Sequence, residues 1–227
     1  MMRMRVPALA TLVALALIAG QAAAHHTGVY TPKDNAITTN FKALKFSVQA
    51  GKFDVARRLF DEGPLRAEMR ARAAALPKGL EARAQTALAA GDGPGVERAL
   101  MLFFVSLARD LAFEGDRQLA AGADAAVVGP RFLEAIWRYY NLVDFAVSQR
   151  DAKASVAMRL AYDDAEGATR AGAADRARLR EALRRMAQVL GAVVGDAGQL
   201  TSGFFRGGIT DRPRLGARGS PTTHGRA

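Results

Sequence analysis

Apolar residues recur along this chain at the spacing of one helix face, from residue 36 to about residue 200. Ile37, Phe41, Leu44 and Val48 fall at i, i+4, i+7 and i+11, and Gly51 follows as a stop. Phe53, Ala56, Leu59 and Phe60 mark a second short helix ending at Gly63, with Asp54 and Arg58 in the favourable i,i+4 order. Pro64 is suited to opening the next helix, which runs to about residue 75 before Pro77. Residues 80–90 form an alanine-rich helix stopped by Gly91-Asp92-Gly93-Pro94. The strongest core helix begins at about Gly95, where Val96, Leu100, Phe103, Phe104, Leu107 and Leu111 make a broad apolar stripe, and extends towards Ala121.

Residues 122–129 are small and read as a connection. Pro130 then opens an aromatic-rich helix carrying Phe132, Ile136, Tyr139, Tyr140, Val143 and Val147, with Glu134 and Arg138 as an i,i+4 pair. Residues 152–167 and 173–194 supply two more helices, the last with Leu179, Leu183, Met186, Leu190 and Val193 inside and Arg178, Glu181, Arg184 and Arg185 outside. No stretch alternates with period two long enough for a strand. The pattern predicts an all-α fold, a helical bundle built from antiparallel helix pairs over residues 36–200. A faint echo of about 50 residues links the segments around Ala56, Ala108 and Ala157, and Phe46-Ser47-Val48-Gln49 also resembles Phe145-Ala146-Val147-Ser148.

The two ends break the pattern. Arg3 and Arg5 precede an apolar run over residues 6–20, and Ala22 and Ala24 offer the small residues of a cleavage site. Residues 1–24 therefore read as a cleaved signal peptide, placing the mature chain in the periplasm or outside the cell. The apolar run is shorter than the roughly 20 residues of a spanning helix, and no later segment is longer, so no transmembrane helix is expected in the mature chain. Residues 25–35 are a polar lead-in. Residues 207–227, rich in glycine, proline and arginine, bury too little apolar surface to order themselves and are expected to be disordered.

Composition narrows the chemistry. The chain has no cysteine, which excludes disulfides, thiolate-bound metal, haem attached through cysteines, a lipid anchor on cysteine and a cysteine nucleophile. Aromatic residues make up 7% while alanine is abundant, so close packing over small side chains must hold the fold together. Of the formal charge of +10, the leader carries two and the tail four, leaving a mild +4 on the body. In an exported protein this favours an anionic envelope surface or an envelope protein as partner rather than nucleic acid.

Three constellations are candidates for function. Cleavage after Ala24 would expose His25-His26, whose amine, backbone nitrogen and imidazole suit Cu(II). The only other histidine is His224, so no Ser-His-Asp system is available. Acidic residues cluster near helix ends: Asp61-Glu62, Glu114 with Asp116, and Asp163-Asp164 with Glu166. Converging helix ends would make Glu114, Asp163, Asp164 and Glu166 an oxygen-only site for iron or another hard cation, or a carboxylate pair for glycan hydrolysis. The competing expectation pairs these acids with the chain's many arginines. Trp137, Arg138 and Tyr140 form the densest aromatic patch with a cation, a candidate ligand pocket.

Residues 135–166, with Tyr139-Tyr140 and Ala161-Tyr162-Asp163-Asp164-Ala165-Glu166, loosely resemble the exported helical extension of bacterial iron permeases. The likeness covers a small part of the chain, and the acidic membrane motif that defines those permeases is absent. It adds weight to the metal-handling alternative. The leading expectation is a non-catalytic binding or accessory protein of the bacterial envelope. Metal handling comes second, and a carboxylate-dependent enzyme acting on envelope glycans third.

Overall fold

A computed structural model describes residues 32–170 and 174–204, with side chains to residue 195. The expected leader, His25, His26 and the tail over residues 207–227 lie outside the described residues. Among the described residues there are nine α-helices and no strand. None of these helices is long and apolar enough to cross a membrane.

Short local signals set the helix ends. Helix α1 (Ala36–Gln49) starts at Asn35, whose side chain accepts from the Thr38 N–H at 2.9 Å while the Thr38 hydroxyl accepts from the Asn35 N–H. It ends before Gly51, which turns the chain with φ of 70°. Helices α2 (Phe53–Asp61) and α3 (Pro64–Ala71) are short, the latter with proline in its first turn. The Asp54 pair forms with Arg57 rather than with Arg58, one position earlier than expected. Helix α4 (Leu80–Ala90) spans the predicted residues and stops at left-handed Gly91. The following Asp92 caps α5 (Gly93–Ala120) by accepting from the Gly95 N–H at 3.0 Å.

Helix α5 organises the fold. Every residue from 99 to 108 is buried, so this stretch has no solvent face. Its one hydroxyl, on Ser106, donates to the Leu102 carbonyl at 2.8 Å, leaving no polar group stranded. Helix α4 and the layer formed by α1, α2 and α3 gather at one side of the molecule, with α1 and α4 against α5. Helices α6 (Ala125–Tyr140), α8 (Ala152–Arg170) and α9 (Arg176–Phe204) close a four-helix ring with α5: α5 packs on α6, α6 on α8, α8 on α9 and α9 on α5.

The ring's contacts are ordered along it. Gly191 lies by Arg109, Leu183 by Gly115, and Arg180 bonds Asp116 at 2.7 Å. Arg176 donates to the Gly122 and Ala123 carbonyls at the far end. Gly129 on α6 sits against Thr169 of α8 and Leu179 of α9, leaving no room for a side chain.

Two expectations for this half need correction. Pro130 does not open α6; it is the helix's sixth residue. Asp124 accepts from the Ala126 N–H at 2.9 Å and starts the helix earlier, burying Ala125, Val128 and Gly129. That burial offsets the one backbone hydrogen bond that proline forfeits. Nor does the helix continue through Val147. It ends at Tyr140, and α7 (Asp144–Arg150) begins after a three-residue turn, held to α8 through Asp144. The Ser155 hydroxyl donates to that carboxylate at 3.0 Å and Arg159 bonds it as well. The segments around Ala56, Ala108 and Ala157 lie in helices of 9, 28 and 19 residues, α2, α5 and α8 respectively, with different packing partners.

Candidate functional site

The acidic residues proposed as ligands are dispersed among arginines. Glu114 on α5 accepts from Arg117 at 2.6 and 2.7 Å and from Gln118 at 2.7 Å. The Arg117 bonds, then that of Gln118, hold its carboxyl at about 2. Asp164 on α8 accepts from Arg185 of α9 at 2.7 Å and lies 3.6 Å from Arg178. Arg185 accounts for most of the lowering of the Asp164 carboxyl below its usual range. Asp116 takes Arg180, with Arg184 at 3.8 Å. Glu166 is buried and bonds Arg170 at 2.7 Å, while Asp163 is exposed on α8. Among the described residues no three His, Asp or Glu side chains gather to hold a metal ion.

The aromatic patch is largely interior. Trp137 packs its ring 4.9 Å from that of Tyr162, whose hydroxyl donates to the Leu133 carbonyl. Arg138 bonds Glu134 at 2.8 Å, the i,i+4 pair expected from sequence. Tyr140 is fully buried, and its hydroxyl lies among Asp144, Ser155 and Arg159 without a hydrogen bond of good geometry. Burial above all, then the Asp144 charge, pushes that phenol up. Tyr139, not among the candidate pocket residues, accepts at its hydroxyl from the Asn35 side chain at 3.1 Å and so ties the start of α1 to α6.

A trough elsewhere on the surface is better suited to binding. It lies over the first turns of α5, between the second half of α1 on one side and the α6–α7 turn with α7 on the other. Its deeper part encloses about 230 Å³ and is lined mainly by apolar side chains, among them Phe41, Val48, Val96, Leu100 and Val143. An outer part of about 180 Å³ adjoins it across Pro94, Glu97 and Ala146, and carries Met101, Phe145, Arg98 and Arg150. Phe145 is 71% exposed beside this outer part. A wider depression of about 310 Å³ beside Asn40, Val55 and Glu62 is shallow and open.

Small residues explain the opening. Gly93, Pro94 and Ala146 stand where larger side chains would close the gap between α1, α5 and α7. A Cβ on Gly93 would meet nothing nearer than Val48 at 3.5 Å.

The charges around the trough also stand apart. Among the described residues Glu97, Arg98 and Arg150 enter no ion pair, and Lys45 is engaged only over the Phe41 ring, at 5.9 Å. None of Trp137, Arg138 and Tyr140 lines the trough. The sequence did carry one trace of it: the two similar tetrads, Phe46–Gln49 and Phe145–Ser148, lie on α1 and α7 and contribute Val48, Gln49, Phe145 and Ala146 to its walls.

No family model matches this chain, and no match was found among curated proteins or solved structures.

Proposed function

We propose that this chain is a non-catalytic, exported binding protein of a bacterial envelope, and that the trough between α1, α5 and α7 is its binding surface. The observation that carries this reading is an apolar recess bordered by charges that have no ion-pair partner among the described residues. Binding sites commonly combine a concave apolar lining with a few polar groups that orient the ligand. Elsewhere, most charges near α5 are neutralised by close partners.

The rival readings draw less support. Glu114, Asp164 and Glu166 are engaged by Arg117, Arg185 and Arg170, so a carboxylate enzyme or an iron site would first have to break those pairs. A metal-handling role then falls back on His25 and His26. The order of contacts from Arg109–Gly191 to Asp116–Arg180 supports an antiparallel course for α5 and α9. Such a bundle is a rigid support for a site at its margin.

The test is a neutral naphthylamine dye that brightens in apolar surroundings, added to the purified mature protein. The expected result is saturable brightening, abolished by Ala146→Trp at unchanged helix content. Absence of brightening in the unaltered protein would contradict the reading.

A further inference from the structure

Building on the trough as a binding surface, we propose that its ligand is a single-chain fatty carboxylate, with the tail in the deep part and the head at Arg98 and Arg150.

The two parts of the trough differ in chemistry. The deep part is apolar on most sides and is bordered by Lys45, Gln49 and Glu97. The outer part holds both guanidinium groups. A ligand lying along the trough would therefore have an apolar end and an end that meets two cations.

Arginine prefers planar anions that accept two parallel hydrogen bonds, as a carboxylate does. Arg98 and Arg150 enter no ion pair among the described residues. Around the opposite half of α5, its own Arg109 and Arg117 and Arg180 of α9 are all paired with carboxylates. The trough thus keeps two arginines, one from α5 and one from α7, without an ion pair among the described residues.

Glu97 refines the choice of ligand. It lines both parts of the trough and stands at their junction. An anion in the deep part would pass this carboxylate, which favours the head on the outer side. A doubly charged phosphate monoester would be repelled by Glu97 more strongly than a singly charged carboxylate. A cationic head would face Arg98 and Arg150, and a neutral one would gain little from them.

Volume sets the chain length. The deep part, about 230 Å³, has room for about eight groups the size of a water molecule or a methylene. With the adjoining outer part, this fits a carboxylate of about ten to twelve carbons.

The experiment is displacement of the neutral dye from the full mature chain by four ligands sharing a twelve-carbon tail: dodecanoate, dodecanol, dodecyl phosphate and dodecyltrimethylammonium, all below their micelle concentrations. Dodecanoate is expected to displace the dye at about one-tenth the concentration of dodecanol, an order of magnitude typical of one charge-assisted contact. The Arg98→Glu, Arg150→Glu double variant should still bind the dye while losing that preference. Both side chains are on exposed residues, so the fold should survive. As a check independent of folding, moderate salt should shrink the preference in the unaltered protein.

Equal displacement by dodecanol and dodecanoate would overturn the proposal, as would a preference for the ammonium ligand. Stronger displacement by dodecyl phosphate would overturn the carboxylate assignment. If the dye fails to bind at all, the trough itself is refuted as a binding surface, a result distinct from these.

Discussion

The two halves of α5 solve the same packing problem in opposite ways. Its C-terminal half is wrapped by α6 and α9, and the carboxylates there meet arginines: Asp116 takes Arg180, Glu114 takes Arg117, and Asp110 takes Arg109. Its N-terminal half lies under α1, α4 and α7, where Gly93, Pro94 and Ala146 leave a gap and Glu97 and Arg98 find no ionic partner among the described residues. The C-terminal half has its charges paired and no trough beside it, whereas the N-terminal half combines a buried stretch over residues 99–106 with a trough and unpaired charges at its start, among the described residues. On the proposed function, stability and binding fall to different ends of one helix.

The largest expected effect lies where the halves meet. Phe104 is fully buried and contacts Phe41 and Phe103 edge-on, at centroid distances of 4.7 and 5.1 Å. Phe104→Ala should destabilise the protein by about 4 kcal/mol in urea unfolding. It should also weaken dye binding, because Phe41 forms part of the trough wall.

Next comes a change confined to the closed half. A Cβ at Gly129 would fall 2.5 Å from a Thr169 methyl group and 3.1 Å from Leu179. Gly129→Ala should therefore force α6 away from α8 and α9 and cost about 2 kcal/mol, with dye affinity unchanged. A loss of dye binding in this variant would show that the two halves are not independent.

The electrostatic contrast gives a smaller effect. Bonds from Arg117 and Gln118 hold the Glu114 carboxyl at about 2, below its unfolded range. A depressed carboxyl stabilises the fold above its unfolded pKa, and that contribution fades as pH falls through the folded value. The urea midpoint should therefore drop between about pH 4 and pH 2. In Arg117→Ala the Glu114 carboxyl should titrate nearer to about 4, as read by carbon NMR.

The smallest effect belongs to the open half. Gly93→Ala has ordinary contact space against Val48, and its gain in helix propensity is offset by crowding of the new Cβ against Pro94, so stability should change by about 0.5 kcal/mol or less. Because Gly93 lines the trough, the same substitution should still weaken dye binding measurably.

Local rules made much of the fold legible. The α4 boundaries followed from an alanine-rich run stopped by Gly91, and a broad apolar stripe marked α5 as the core helix, though not its burial on every side over residues 99–108. Pro130 misled because proline is a reliable helix opener only when nothing upstream competes, and here Asp124 offered a cap and Ala125 and Val128 offered burial. The acid–arginine pairs divide by distance along the chain. Glu134–Arg138 could be read from i,i+4 spacing, whereas Asp116 and Arg180 are 64 residues apart. The trough was hidden for a related reason. Phe41, Val48, Val96 and Leu100 each look like ordinary core positions, and only the packing of α1 and α7 around small residues leaves a space between them.

The most direct test of the proposed binding surface is photocrosslinking of the purified protein with a diazirine-bearing dodecanoate, followed by peptide mapping. Adducts are expected within residues 41–49, 93–101 and 142–150, and excess unlabelled dodecanoate should suppress them. Adducts concentrated on α8 and α9, or spread evenly over the surface and insensitive to competitor, would contradict the account.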